Sequence, residues 1–263
     1  MSEPDPRLPD ASELQRTAAD VATRAAAIVR AALGAAVASG TKSSVTDVVT
    51  ETDVAVESFI RSELTSAFPG SSIVGEELAD VDGSSGIGWV VDPIDGTVNF
   101  VYDLPVIAVS IAATVHGRVV AGAVADIVRE ETFAAAAGHG AYRNNKAVAA
   151  STADDLGLSL VATGFSYDAA LRAEQAKTIA RLLPLTRDVR CMGSAALNLC
   201  WVACGRLDAY YERDLKPYDY AAGLLIAAEA GAVVERPEDR ARWVVASAAG
   251  IAPSLRSVLQ NGE

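Results

Sequence analysis

The chain has 263 residues, enough for one large domain or two subdomains, with 51% hydrophobic and 21% charged residues, a globular balance far from that of a disordered segment. Its net charge is −12 and no basic cluster stands out, which excludes the electrostatic footprint of direct nucleic-acid binding. No apolar run reaches the roughly 18 to 20 residues of a membrane-spanning helix, so no membrane partner is expected.

Met1-Ser2-Glu3-Pro4-Asp5-Pro6 is acidic and proline-rich, without the basic start and apolar stretch of a secretory signal. Residues 1–10 therefore read as a flexible tail, and the cytoplasm as the expected location. Asp10 or Ser12 can cap a helix running to about Val37, with Leu14, Val21, Ile28 and Val29 on one stripe. A second helix follows Thr52, carries Val56, Phe59, Ile60 and Leu64 at helical spacing, and stops at Pro69-Gly70. Strands are expected over 72–74, 88–91, 106–114, 119–126 and 131–136, with turns at His116-Gly117 and Gly138-His139-Gly140. Beyond them, strands at 158–163, 207–211, 233 and 243–246 are interleaved with helices at 169–183, 194–203, 219–230 and 253–259. Two helices and a run of strands, then alternation, predict an α+β unit over 11–150. It is joined to an α/β unit over 151–263, the two sharing one core and one active site.

Cys191, Cys200 and Cys204 form no CxxC pair, which argues against a disulfide framework and a structural zinc site. The two histidines, His116 and His139, both fall in turns, so a histidine-based triad is not expected. Carboxylates remain. Asp92-Pro93-Ile94-Asp95-Gly96-Thr97 follows the apolar strand Trp89-Val90-Val91, and a tight turn there can aim Asp92 and Asp95 into one space. Two such carboxylates repel unless a cation or proton lies between them. Alone, the run also fits an Asp-rich, self-capping turn. It is accompanied by Gly75-Glu76-Glu77 after another short strand, by Asp53 in Thr50-Glu51-Thr52-Asp53 at a helix start, and by Asp219 in Tyr218-Asp219-Tyr220-Ala221-Ala222-Gly223 at a later helix start. Each is a carboxylate at the edge of an apolar element, the usual place for site residues.

In their order and spacing these motifs, with Lys42-Ser43-Ser44 and Gly193-Ser194-Ala195-Ala196, resemble the inositol monophosphatase family over most of the chain. The resemblance implies a layered αβαβα sandwich of the sugar-phosphatase type and magnesium-dependent hydrolysis of a phosphate monoester by activated water. The continuation Thr97-Val98-Asn99-Phe100 is similar to that of the inositol phosphatases, so myo-inositol 1-phosphate is the expected substrate. Fructose-1,6-bisphosphate, histidinol phosphate and a nucleotide 3′-phosphate remain as rivals. A non-enzymatic alternative is an accessory factor binding transcription proteins, as in some bacterial relatives. Two departures bear on specificity: Tyr218 stands where the family usually has tryptophan, and Arg213-Asp214-Leu215-Lys216-Pro217 adds charge.

Residue by residue, the resemblance implies Glu76, Asp92 and the Ile94 carbonyl at one metal ion. Asp92, Asp95 and Asp219 would hold a second, and a third, weaker ion would share Glu76. Hard oxygen ligands select Mg²⁺, with Mn²⁺ as a substitute. Thr97, hydrogen-bonded to Asp53, would orient or deprotonate the attacking water, though a threonine there also fits a plain helix cap. The catalytic set is thus Thr97, Asp53 and Glu76. The Gly96 and Thr97 N–H groups would hold phosphate, and Asp95, the Ala195 backbone, Glu212 and Asp219 the alcohol. Glu212 fits an exposed strand-end charge equally well. Lys42 is placed near the phosphate or metals on a loop. Lithium sensitivity and a homodimer are implied as well.

Overall fold

The computed structural model describes residues 9–34, 38–41, 48–236 and 243–260; Lys42 and the first eight residues of the expected tail lie outside them. Helix α1 (Ala11–Ala31) buries Leu14, Ala18, Val21, Ala22, Ala25 and Val29, a stripe at helical spacing. Asp10 occupies its N-cap position without a side-chain capping bond. The helix stops six residues short of Val37, because the chain turns at 32–34 and Gly34 takes a φ of 76°, a left-handed conformation that glycine adopts without a Cβ penalty. Strands β1 (Ala38–Thr41) and β2 (Val48–Thr50) pair antiparallel. Helix α2 (Glu51–Ala67) then opens on Thr50 in a reciprocal capping box with Asp53.

A seven-stranded sheet follows: β3 (Ser72–Gly75), β4 (Ile87–Asp95), β5 (Ala108–Val115), β6 (Arg118–Asp126), β7 (Glu131–Ala136), β8 (Ala141–Arg143) and β9 (Lys146–Val148), with the short helix α3 (Thr97–Val101) between β4 and β5. The strands lie in chain order, and only the β3–β4 pair is parallel. The remaining elements are β10 (Leu160–Thr163), α4 (Ala169–Leu182), β11 (Asp188–Cys191), α5 (Ala195–Ala203), β12 (Ala209–Arg213), α6 (Pro217–Glu229), β13 (Val233–Glu235), β14 (Trp243–Ser247) and α7 (Ala252–Gln260). Their strands form a second sheet in the order β11-β10-β12-β14-β13.

Three apolar clusters fix the layering. The first joins α1 and α2 to one face of the seven-stranded sheet, through Val21, Val29, Val56, Ile60, Val109 and Ile111. The second joins the opposite face to α5 and α6, and these to the five-stranded sheet, through Ala112, Val124, Leu199, Leu225, Tyr210 and Val244. The third packs α4 and α7 on the far side, through Leu182, Leu255, Val161 and Val245. The expected αβαβα sandwich is therefore present. Along β5, Val109, Ile111 and Ala113 face the first cluster while Ala108 and Ala112 face the second, the period-two alternation of a strand covered on both sides. Close approach of the central helices relies on small residues. A Cβ on Gly122 of β6 would sit 3.0 Å from the Ala222 backbone of α6.

Candidate active site

The site grows from an irregularity in β4. Asp92 pairs with Ser110 of β5, and the next pair is Asp95 with Ala108. Three steps on β4 thus match two on β5, a bulge with one extra residue at Pro93-Ile94. In a regular strand, residues three apart point to opposite faces. The extra residue puts Asp92 and Asp95 on the same face, the one covered by α5 and α6. The Ile94 N–H donates back to Asp92 Oδ1 at 3.0 Å. Gly96 follows with a φ of 101°, and a Cβ there would lie 2.8 Å from the Val106 carbonyl oxygen, so the turn into α3 requires glycine.

Thr97 and Asp53 meet as expected. The Thr97 hydroxyl lies 3.2 Å from Asp53 Oδ1 and 3.0 Å from the Ile94 carbonyl oxygen. The second Asp53 oxygen accepts the Thr50 N–H at 2.9 Å and the Thr50 hydroxyl. Asp53 is fully buried, and its orientation is set by the start of α2. One hydroxyl proton serves only one acceptor at a time, so Thr97 can alternate between Asp53 and the Ile94 carbonyl.

Asp95 is bound by the start of α5. It accepts from the Ser194 hydroxyl at 2.5 Å, the Ala196 N–H at 2.7 Å and the Ala195 N–H at 3.2 Å. Asn99 secures that helix start by donating to the carbonyls of Val106 and Met192, both at 2.8 Å. Asp219, half-buried on the first turn of α6, accepts the Lys216 N–H at 2.5 Å. Glu212, near the end of β12, accepts from the buried Tyr210 hydroxyl at 2.5 Å. Glu212 lies where a Cβ on Gly164 would be, 2.1 Å from its Oε2, so it is a packed, half-buried carboxylate and not an exposed strand-end charge. Glu76 sits half-buried just beyond β3. These groups share one electrostatic space. Burial, and then the charge of Glu76, push Asp95 up to about 6 against its hydrogen bonds. Burial, with Asp95 behind it, pushes Glu212 up to about 7. Burial, with Asp95, Glu76 and Glu212, raises Asp219 well above the usual carboxylate range.

A sequence model described as the inositol monophosphatase family matches residues 10–262. The inositol-1-monophosphatase of Mycobacterium leprae is 46% identical over 95% of this chain and 94% of its own length. The chain belongs to the inositol monophosphatase family. It is a phosphoric monoester hydrolase, in a family that is metal-dependent. The solved structure of Mycobacterium tuberculosis SuhB superposes with a TM-score of 0.83 at 43% identity, covering 97% of this chain and 98% of that one. The Nus factor SuhB of Escherichia coli strain K12 is 40% identical over 72% of this chain and 71% of its own length.

The donor set suits the family's metal dependence. Asp92, Asp95, Asp219, Glu76 and the Ile94 carbonyl supply only hard oxygens, the chemistry of magnesium and not of zinc or copper. Among the described residues, no three of the carboxylates converge on one point as they lie. The fit therefore rests on donor type and on their mutual repulsion, which a divalent cation would relieve. A carboxyl whose folded pKa is raised stabilises the fold below its unfolded pKa and loses that contribution as pH rises through the folded value. Chelator-treated hydrolase is thus expected to lose melting temperature as pH rises from about 4, the ordinary carboxyl range, to the raised values of about 6 for Asp95 and about 7 for Glu212, and to level off above them. Excess magnesium should restore part of that loss at about pH 8, where Asp95 is ionised to bind it and the added positive charge offsets that of Glu212. A melting temperature for the chelated protein that stays level across that range would contradict this reading.

Several residues here carry no motif. Glu57, fully buried on α2, and its half-buried partner Arg61 are one pair. Asn99 and Ser194 do lie within segments that the sequence singles out, and with Tyr210 they orient a carboxylate or a helix start. The only signal for the first pair is an i, i+4 Glu–Arg spacing flanking the core position Ile60, which ordinarily marks a solvated face.

Proposed function

We propose that the protein hydrolyses myo-inositol 1-phosphate to inositol and phosphate, with Mg²⁺ held by Glu76, Asp92, the Ile94 carbonyl, Asp95 and Asp219. The observation that carries this reading is the union of two features at the end of β4: carboxylates short of positive charge, and a threonine hydroxyl within reach of a buried aspartate. Bound magnesium supplies Lewis acidity, offsetting phosphoryl charge and making water easier to deprotonate. The protein's part is to take the proton and hold the ester. Thr97 accepts a hydrogen bond from the attacking water while its own proton moves toward Asp53 Oδ1. The Gly96 and Thr97 N–H groups, at the start of α3, bind the phosphate oxygens. Asp95, Glu212 and Asp219 accept hydrogen bonds from the alcohol's hydroxyls, and the Ala195 N–H, which donates to Asp95, fixes that carboxylate toward them. The substrate assignment draws support from the Mycobacterium leprae relative, an inositol-1-monophosphatase.

The test is phosphate release from myo-inositol 1-phosphate, fructose-1,6-bisphosphate, histidinol phosphate and a nucleotide 3′-phosphate, compared by kcat/KM. The first should exceed the others by at least about tenfold, a difference of ~1.4 kcal/mol in transition-state binding. Chelator should abolish turnover, magnesium should restore it, and millimolar lithium should inhibit it. No release from any ester would sink the proposal. The enzyme is expected in the cytoplasm as a homodimer, which light scattering checks. The name of the Escherichia coli relative favours a second reading, a protein-docking role in transcription; it would survive loss of turnover.

A further inference from the structure

We propose that Glu57 and Arg61 form a neutral clamp that positions Glu76 for the divalent cation. This deepens the assignment of Glu76 as a ligand and rests on it. The segment 76–80 leaves β3 as a closed loop. Its base is tied by paired backbone hydrogen bonds between Ile73 and Val81, both at 2.9 Å. Its interior is tied from α2. Glu57 accepts the Glu77 N–H at 2.7 Å and the Leu78 N–H at 3.2 Å. Arg61 donates to the Leu78 carbonyl at 2.9 Å and the Ala79 carbonyl at 2.8 Å. The two side chains are themselves joined, Arg61 Nε to Glu57 Oε1 at 2.8 Å. Four backbone groups within three residues are thus held from one helix, beginning at the residue after Glu76.

Two features distinguish this from ordinary loop packing. Glu57 is fully buried, and a buried ion pair is weak as a stabilising device because desolvation offsets the attraction. It does fix geometry, as partners behind a metal ligand do. Its charge also cancels. An unpaired arginine beside Glu76 would repel a cation, whereas here the guanidinium faces a carboxylate and two carbonyls. Space for the pair is left by Gly75, whose Cβ would lie 2.1 Å from Glu57 Oε1 and 2.7 Å from an Arg61 nitrogen. Asp53, Glu57 and Arg61 fall at i, i+4 and i+8, one ridge of α2. A single helix therefore orients both Thr97 and Glu76.

The experiment is calorimetric titration of Mg²⁺ into chelator-stripped full-length protein, with kcat measured at saturating Mg²⁺. Glu57→Gln and Gly75→Ala are each expected to raise the Mg²⁺ Kd by about 10- to 100-fold, as loss of a ligand's supporting contact does. Turnover at saturating Mg²⁺ should return to within about threefold of the parent, since the lost term is binding. Arg61→Lys should fall between parent and Glu57→Gln. Gly75→Ala displaces the clamp without removing its charge, so it decides the matter if Glu57→Gln fails to fold. An unchanged Kd in a variant with the parent's circular dichroism overturns the clamp. Glu76→Gln serves as the reference: if it weakens binding while the clamp variants do not, only the clamp falls. If Glu76→Gln also leaves Kd unchanged, the ligand assignment falls and the clamp with it.

Discussion

Replacing Asp92 by asparagine is expected to lower phosphate release by about 10³-fold or more, because a bound cation supplies several kcal/mol of transition-state stabilisation and each ~1.4 kcal/mol is a factor of ten. Asp92 belongs to the proposed Mg²⁺ ligand set, so its loss would weaken cation binding. The loss should not come from unfolding. Asp92 is 2% exposed, and its Oδ1 accepts the Ile94 N–H. An asparagine oxygen keeps that bond and removes a charge that the neighbouring carboxylates repel. Metal-free Asp92→Asn should therefore melt at or above the temperature of the metal-free parent. Phosphate release within tenfold of the parent, with the melt preserved, would remove Asp92 from the proposed ligand set. The same variant separates the two functional readings, since a docking role in transcription would persist in it.

The acidity of the chain takes on meaning at this site. A net charge of −12 is unremarkable in itself, yet Asp95, Glu212 and Asp219 are all pushed upward by burial and by carboxylates around them. The contacts each receives are hydroxyls and N–H groups: Ser194, Ala195 and Ala196 for Asp95, Tyr210 for Glu212, and Lys216 N–H for Asp219. Such donors orient a carboxylate while leaving its charge in place. An anionic ester could not enter this space unaided, and divalent cations resolve both repulsions at once.

The chemistry was legible because its carriers stand at element ends, where periodicity breaks. Asp92, Asp95, Glu76 and Asp219 each terminate or open an apolar run, and a string of residues shows that directly. The bulge that aligns Asp92 with Asp95 was not legible, since it is defined by pairing with Ser110 and Ala108. A strand over 88–91 with a tight turn after it was expected, yet β4 continues through Pro93 to Asp95. Five strands escaped, β1, β2, β8, β9 and β11, each of four residues or fewer. β8 and β9 have only three residues each, although Asn144 and Asn145, both at positive φ, are the residues a two-residue hairpin turn favours. β11, Asp-Val-Arg-Cys, lies at a sheet edge and is largely polar, so it lacks the alternation of a half-buried strand. Glu57 and Arg61 escaped for a long-range reason. Nothing near them in sequence announces that the groups they satisfy lie some 20 residues later.

Removing the Asp53 carboxylate should have the second largest effect, through a proton and not a metal ion. Asp53→Asn is expected to lower kcat by about 10²- to 10⁴-fold, the range of a lost general base. The reason is the direction of one hydrogen bond. Thr97 now donates to Asp53 Oδ1, and an amide nitrogen turned to that position would donate instead, blocking transfer away from water. The amide oxygen, facing Thr50, would keep the capping contacts of α2, so the helix should lose no more than the ~1 kcal/mol typical of a weakened cap. Thr97→Val should match Asp53→Asn in kcat, and the double variant should be little worse than either, because residues that act as a unit are non-additive. Thr97→Ser, which retains the hydroxyl, should recover most of the turnover. If the two single losses multiply in the double variant, the hydroxyl and the carboxylate act separately, and the relay is wrong. A helix cap alone would give the opposite pattern: Thr97→Val would shift the melt and leave kcat nearly intact.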